Sequence, residues 1–211
     1  MKTALLFLSF IFAMSGCNGM DDLQIDHATV TPSAPTTNAV AYFASGCFWC
    51  VEAVFESVKG VGDVVSGYSG GKASDAKYDL VSAGKTNHAE AVAVYYDSTR
   101  ITYPTLLKVF FGSHDPTTLN QQGPDRGKQY RSSIFYRNER EKTMAETYIK
   151  ELLSKKVYSY ITTEVVPLVA FYPAEDYHQN YERNHPNNPY VKSVSVPRLK
   201  RFKEKYPELL K

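Results

Sequence analysis

From residue 40 onward, the apolar positions fall into short runs with two different periods. Residues 40–44 are continuously apolar and Gly46 ends them, which is the pattern of a buried strand. Phe48, Val51, Phe55 and Val58 recur at helical spacing, with Gly60 as the stop. Residues 62–71 predict a second strand closing in a Gly-rich turn, and 72–78 a loop. Residues 89–97 alternate: Glu90, Val92, Val94 and Tyr96 share one face, and Ala89, Ala91, Ala93 and Tyr95 the other. Thr102 is placed to cap a helix that reaches Gly112 and turns Leu106, Leu107, Phe110 and Phe111 inward. Residues 113–129 predict a long loop, and loops of that length in compact domains are often functional. Residues 132–137 predict a strand. Asn138 with Glu141 resembles a capping box, opening a helix that carries Met144, Tyr148 and Leu152. Residues 162–170 predict a strand that Pro167 assigns to a sheet edge. Residues 174–183 predict a short helix, and the tail is Pro- and Asn-rich, then basic. Strands and helices mix without strict alternation, so the fold class is α+β, a mixed sheet covered by helices.

The N-terminus has a different character. Residues 4–14 form an eleven-residue run, apolar except for Ser9. A membrane-spanning helix needs about 20 residues, so the run suits the apolar part of a signal peptide. Met14-Ser15-Gly16-Cys17 resembles a bacterial lipoprotein cleavage site, in which Cys17 becomes the lipidated N-terminus. A plain signal peptide with Cys17 as a bystander is the other reading. The chain then divides into a signal peptide (1–16), a lipid-anchored tether (17–38) and a folded domain (39–211) on the envelope side of a membrane.

Composition narrows the function. With 24 Lys plus Arg against 22 Asp plus Glu, the net charge of +2 is too small to imply nucleic acid as the main partner. Three cysteines are too few for a disulfide scaffold. Lipidation of Cys17 would leave two thiols, Cys47 and Cys50. Sixteen tyrosines and eleven phenylalanines point to an aromatic-rich core or pocket.

Gly46-Cys47-Phe48-Trp49-Cys50 puts Cys47 at the start of a helix and Cys50 one turn into it. Unpaired N–H groups and the positive dipole end there favour a thiolate. Cys47 is then the attacking thiol and Cys50, within reach at i+3, the resolving thiol. A structural disulfide or two inert buried thiols fit the same pair, although so short a loop gains little from closure.

Gly46-Cys47-Phe48-Trp49 followed by Glu52 and Phe55 resembles the active-site signature of the A-type methionine sulfoxide reductases, the peptide-methionine (S)-S-oxide reductases. Further segments resemble that family in its order: 67–71, 84–92 with Tyr96-Asp97, 122–132 and 174–179. The resemblance implies a two-layer α/β sandwich with a ferredoxin-like core. It also implies reduction of the S epimer of methionine sulfoxide, protein-bound and free, by a monomer. Cys47 would attack the sulfoxide sulfur and Glu90 would act as the general acid, kept protonated by desolvation. Tyr78 and Tyr130 would hydrogen-bond the sulfoxide oxygen, Asp125 would order the pocket, and Phe48 and Trp49 would face the S-methyl group. Departure of methionine would leave Cys47 as a sulfenic acid, Cys50 would close a disulfide, and a thioredoxin-like dithiol would reset the pair, with no metal or bound cofactor. The sequence departs from the commonest family pattern at Cys50, where Gly is usual, at Asn87 and Pro124, and in a C-terminal region without cysteine.

Three readings from other classes share part of this pattern. A generic envelope thiol–disulfide oxidoreductase needs the Cys-x-x-Cys but no acid like Glu90. A lipid-anchored binding module needs no reactive thiol. A zinc deaminase is suggested by His88-Ala89-Glu90, but here the order of its motifs is reversed. The basic run 198–203 fits a solvated helix face, or a contact with anionic lipid.

Overall fold

The computed structural model describes residues 39–211. The signal segment, Cys17 and the tether lie outside the described residues. A six-stranded sheet forms the centre, in the order β7-β6-β1-β3-β2-β8. Its strands are β1 (Ala39–Ser45), β2 (Val61–Ser69), β3 (Ala89–Tyr96), β6 (Ser132–Tyr136), β7 (Glu164–Pro167) and β8 (Phe171–Pro173). Only β6 and β7 run parallel; every other neighbouring pair is antiparallel. The helices are α1 (Phe48–Glu56), α2 (Tyr78–Ser82), α3 (Tyr103–Gly112), α4 (Glu139–Ser154), α5 (Tyr181–Asn184) and α6 (Val196–Lys205). The order β1-α1-β2-β3-α3-β6 with sheet order β6-β1-β3-β2 is the ferredoxin-like core that the family resemblance implies.

The helix side of the sheet holds the main core. Phe43 of β1 stacks on Phe55 of α1 at 5.2 Å and on Phe110 of α3 at 5.2 Å, so one ring ties both helices to the central strand. Such pairs add about 0.5–1.5 kcal/mol each beyond the area they bury. The opposite face carries a smaller cluster of Ala44, Ala89, Ala91 and Phe135, backed by Tyr42, Val166, Leu168 and Phe171. The alternation along β3 therefore separates two buried faces rather than core from solvent, and only Tyr95 is exposed.

The caps follow the sequence closely. Thr102 accepts from Thr105 N at 3.3 Å, and Asn138 accepts from Glu141 N at 2.9 Å. Glu141 differs from a strict capping box: its carboxylate turns back one residue further and accepts from Arg137 N at 2.8 Å. At the sheet edge, 162–170 shortens to β7, and the chain then crosses to the opposite edge as β8, a strand the apolar pattern does not announce.

The expected helix over 174–183 is broken in two. Asp176–His178 form a single 3₁₀ turn and α5 begins at Tyr181, because Asn180 sits at φ 54. The cause is Gln179, whose amide behaves like a strand neighbour of β2. It accepts from Ser66 N at 2.9 Å and donates to Ser66 O and Ala174 O at 3.0 Å each. The tail is also more ordered than its composition suggests: a wide π turn at Val191–Ser195 runs into α6.

Candidate active site

The site is built where β1 meets α1. Gly46 turns the chain at φ 90, and a Cβ there would lie 2.6 Å from the Gln122 side chain, so only glycine fits. Cys47 is the N-cap of α1, and its carbonyl accepts the first helical bonds from Cys50 N at 3.1 Å and Val51 N at 3.3 Å. The next N–H, on Phe48, has no partner within the helix. It donates instead to Glu90 Oε2 at 3.1 Å.

That bond holds the Glu90 carboxyl against the start of α1. Glu90 projects from the helix-facing side of β3 and is 2% exposed. Burial pushes its carboxyl up to about 8, against the pull of the Phe48 N–H and with help from the charges of Asp125 and Cys50. A carboxyl in that state carries a proton at neutral pH. β3 is a central strand, so Glu90 does not lie at a solvent-facing sheet edge.

The helix terminus does not make Cys47 acidic, contrary to the expectation from sequence. Cys47 is 6% exposed, and burial, Cys50 and Glu90 all push its thiol up. Cys50 is drawn down to about 6, first by the Cys47 thiol donating to it and then by Arg198, Ser195 and Tyr190, against its own burial. Burial thus disfavours a thiolate at Cys47, and the groups around Cys50 favour one there.

Tyr78 opens α2 rather than lying in a loop, because Glu175 fixes the chain there. Glu175 accepts from Tyr78 N at 3.0 Å and from Tyr68 Oη at 2.8 Å. The Tyr78 ring stacks on Phe48 at 6.4 Å and meets His178 at 4.2 Å. Its hydroxyl is raised to about 12 by burial, then by Glu90 and Cys47. Tyr130 closes the turn at Lys128–Tyr130 and is raised by burial and the same two groups. Among the described residues, neither tyrosine hydroxyl has a protein hydrogen-bond partner.

Phe48 is wholly buried and backs the site rather than lining an open surface. Trp49 is half-buried, stacked on Tyr181 at 3.6 Å, with its indole N–H donating to His178 Nδ1 at 3.2 Å. Asp125 stands on a small hairpin, β4 (Gln121–Gln122) with β5 (Asp125–Arg126), inside the predicted long loop. It accepts from Tyr190 Oη at 2.5 Å, and the same oxygen lies 3.8 Å from Cys50 Sγ.

The structure thus gathers Cys47, Cys50, Glu90, Tyr78, Tyr130, Asp125, Phe48 and Trp49 around the N-terminus of α1. It adds His178, Tyr190 and Arg198, which sequence reasoning did not single out. His178 lay inside a recognised segment, but nothing marked it as the partner of Trp49. Arg198 was concealed in a basic run; it is 7% exposed, while Lys200, Arg201 and Lys203 are solvated as expected. His88 is not brought to the thiols: its Nε2 donates to Lys72 O at 2.9 Å. Among the described residues, no three His, Cys, Asp or Glu are grouped to hold a metal.

Known proteins bear the same architecture. The model of the family described as peptide methionine sulfoxide reductase matches residues 39–210. The chain is 45% identical over 192 residues to peptide methionine sulfoxide reductase MsrA 2 of Synechocystis sp., covering 90% of this chain and 89% of that one. It is 49% identical over 169 residues to the MsrA of Sulfolobus acidocaldarius, covering 80% and 96% respectively. The fold superposes on reduced Mxr1 from Saccharomyces cerevisiae with a TM-score of 0.66 at 32% identity, over 76% of this chain and 92% of that one. Methionine sulfoxide reductase A of Corynebacterium diphtheriae gives 0.64 at 34% identity, over 72% and 77%. With the family model spanning the whole described fold, the chain belongs to the peptide methionine sulfoxide reductases, a family of oxidoreductases.

Proposed function

We propose that Cys47 takes the oxygen of the S epimer of methionine sulfoxide and that Glu90 supplies the proton this transfer needs. The observation that carries the reading is the carboxyl of Glu90, buried, protonated at neutral pH and bonded to the N–H of the residue beside Cys47. An oxide is a poor leaving group, so the S–O bond breaks only as its oxygen is protonated. Tyr78 and Tyr130 have free hydroxyls beside the same charges and would hold that oxygen. Trp49, backed by Phe48, offers an apolar wall for the S-methyl group.

The proton shared by the thiol pair moves to Cys50 as Cys47 attacks. Oxygen leaves the methionine sulfur and ends on Cys47, giving methionine and a Cys47 sulfenic acid. The Cys50 sulfur then displaces that oxygen as water and forms the Cys47–Cys50 disulfide. Asp125 acts on this second step through Tyr190. A thioredoxin-like dithiol supplies the two electrons that reopen the disulfide. Free methionine sulfoxide is accepted along with protein-bound residues. The enzyme works as a monomer, anchored through a lipidated Cys17 on the envelope side of a membrane.

The test offers separated S and R epimers of a methionine sulfoxide substrate with dithiothreitol and follows methionine by chromatography. Turnover of the S epimer alone, absent in Cys47→Ser, is the expected result. Turnover of neither epimer by folded protein, or of both equally, would contradict the reading. Acyl mass on Cys17 and recovery in the membrane fraction check the anchor; an unmodified Cys17 in a soluble protein would overturn it.

A further inference from the structure

Arg198 is a buried cation among neutral partners. Its Nε donates to Ser113 O at 2.8 Å, Nη1 to Ser45 O at 2.9 Å and Nη2 to Ser45 Oγ at 3.1 Å. Among the described residues, no carboxylate lies within ion-pair distance of it. His114 also stays neutral: burial and the Arg198 charge push its imidazole down to about 3. A guanidinium taken out of water with only neutral acceptors lacks a compensating charge.

Its place in the fold shows where that compensation comes from. Ser45 directly precedes Gly46-Cys47, and a Cβ on Gly46 would lie 3.5 Å from Arg198 Nη1. Arg198 and Cys50 line the same cleft, together with Gln122, Pro124, Asp125 and Tyr190. Nothing in the family resemblance assigns a function to this arginine. We propose that Arg198 is the counter-charge of a Cys50 thiolate, a positioning residue that keeps the second thiol ionised for its attack on the oxidised first. The inference rests on the reductase reading only for the use made of that charge.

The groups facing Cys50 come from several elements. Cys47 faces it from the N-cap, Tyr190 and Ser195 come from the tail with their hydroxyl protons given to Asp125 and Glu182, and Glu90 of β3 and Asp125 of β5 add carboxyls. Burial holds both carboxyls above their ordinary range, while Tyr190 and the Arg198 charge draw Asp125 part of the way back, so Asp125 shares that charge without forming an ion pair. Among the described residues, two full cations line the cleft, and of these Arg201 is exposed to solvent while Arg198 is buried and fixed by its hydrogen bonds. In the step it serves, the Cys50 thiolate attacks the sulfur of Cys47–SOH. An S–S bond forms, the S–O bond breaks, and the proton that Cys50 took up in the first step passes to the departing hydroxide, which leaves as water. The electron pair of the Cys50 thiolate becomes the S–S bond, so the Cys50 sulfur rises and the Cys47 sulfur falls by one oxidation unit each to the shared disulfide level, and no outside oxidant enters.

The test uses the full chain with Cys17→Ser and Cys47→Ser, so that Cys50 is the one thiol, and titrates its thiolate by ultraviolet absorbance. Arg198→Gln, which keeps hydrogen-bonding capacity but loses the charge, is expected to raise the midpoint by about 1–2 pH units. Arg198→Lys keeps the charge and should stay within about half a unit of the parent. Equal shifts in the two variants, or none in Arg198→Gln, would overturn the proposal. If Arg198→Gln does not fold, thermal unfolding with Arg198 in place decides. A thiol whose folded pKa lies below its unfolded one adds stability above the unfolded value, lost as pH falls towards the folded one. The parent should therefore gain Tm relative to its Cys50→Ser version between pH 6 and 9, whereas parallel curves would overturn the claim. With Cys47 restored, Arg198→Gln should slow disulfide closure at pH 7 about tenfold and recover at higher pH. The titration involves no sulfoxide, so it can fail while the reductase reading stands, and the reverse.

Discussion

Cys47 and Cys50 stand one helical turn apart, yet they belong to two differently finished halves of one site. Around Cys47 the groups are incomplete. Two tyrosine hydroxyls have no protein partner, and Glu90 has one recorded hydrogen bond, to Phe48 N. Around Cys50 the network is closed: Tyr190 bonds to Asp125, and all three guanidinium nitrogens of Arg198 find acceptors. Open valences suit a visitor whose oxygen will supply the missing partners. A closed network suits a reaction between residues that never leave the protein.

Two buried carboxyls, Glu52 on α1 itself and Glu90 on β3 at its N-terminus, teach the same lesson. Glu52 is as buried as Glu90 and is likewise raised, to about 7. Its oxygens, however, are occupied by Ser66 Oγ and Asn180 N at 2.7 Å each. Glu52 therefore ties the 178–184 segment to the helix, while Glu90 keeps capacity for a further partner. A raised carboxyl is thus a poor marker of a catalytic acid until its hydrogen bonds are counted.

The largest effect that would break this comparison is at Glu90. Glu90→Gln keeps the acceptor for Phe48 N and removes the proton, so single-turnover methionine formation should fall about 10²–10⁴-fold. In the parent the same rate should decline as pH rises past about 8, where Glu90 ionises, and that decline should vanish in the variant. A smaller loss should follow from Tyr78→Phe or Tyr130→Phe. Each removes one hydrogen bond to a developing charge, about 1.5–3 kcal/mol, read as roughly a 10–100-fold loss in kcat/KM. Tyr190→Phe should leave methionine formation near normal and slow disulfide closure several-fold, as quench-flow thiol counting would show. If it slowed the first step more than the second, the two halves would not be separate.

The smallest expected effect concerns stability. Glu52 and Glu90 both have folded values above their unfolded ones, so each adds stability below about pH 4.5 that is lost as pH rises through about 7 and 8. Glu52→Gln should flatten the fall in Tm between pH 5 and 8 without changing the pH profile of turnover. A shifted turnover profile would place Glu52 in the chemistry after all.

Much of this was legible along the chain, for identifiable reasons. The core strands and α1, α3 and α4 announced themselves because their apolar periods match one buried face and their caps lie at fixed offsets. The two thiols were legible from their place at the start of α1, while the acid and the two tyrosines came from the family motifs, since sixteen tyrosines look alike by pattern. What stayed hidden depends on long-range contacts. Gln179 breaks a plausible helix by pairing with a strand 113 residues away, and Arg198 hides in a basic run while reaching Ser45, 153 residues earlier. The burial of Cys47, which opposes a thiolate at the helix start, was also not legible, because the groups that cover it, Glu90 among them, come from distant parts of the chain.

The most direct test of the division between the two thiols is a single turnover without reductant, using the S epimer and three proteins that share Cys17→Ser. The parent should release one methionine per chain and form the Cys47–Cys50 disulfide. Cys50→Ser should release methionine and leave Cys47 trapped by dimedone as a sulfenic acid, and Cys47→Ser should release none. Methionine from Cys47→Ser, or no dimedone adduct on Cys47 in Cys50→Ser, would contradict the account.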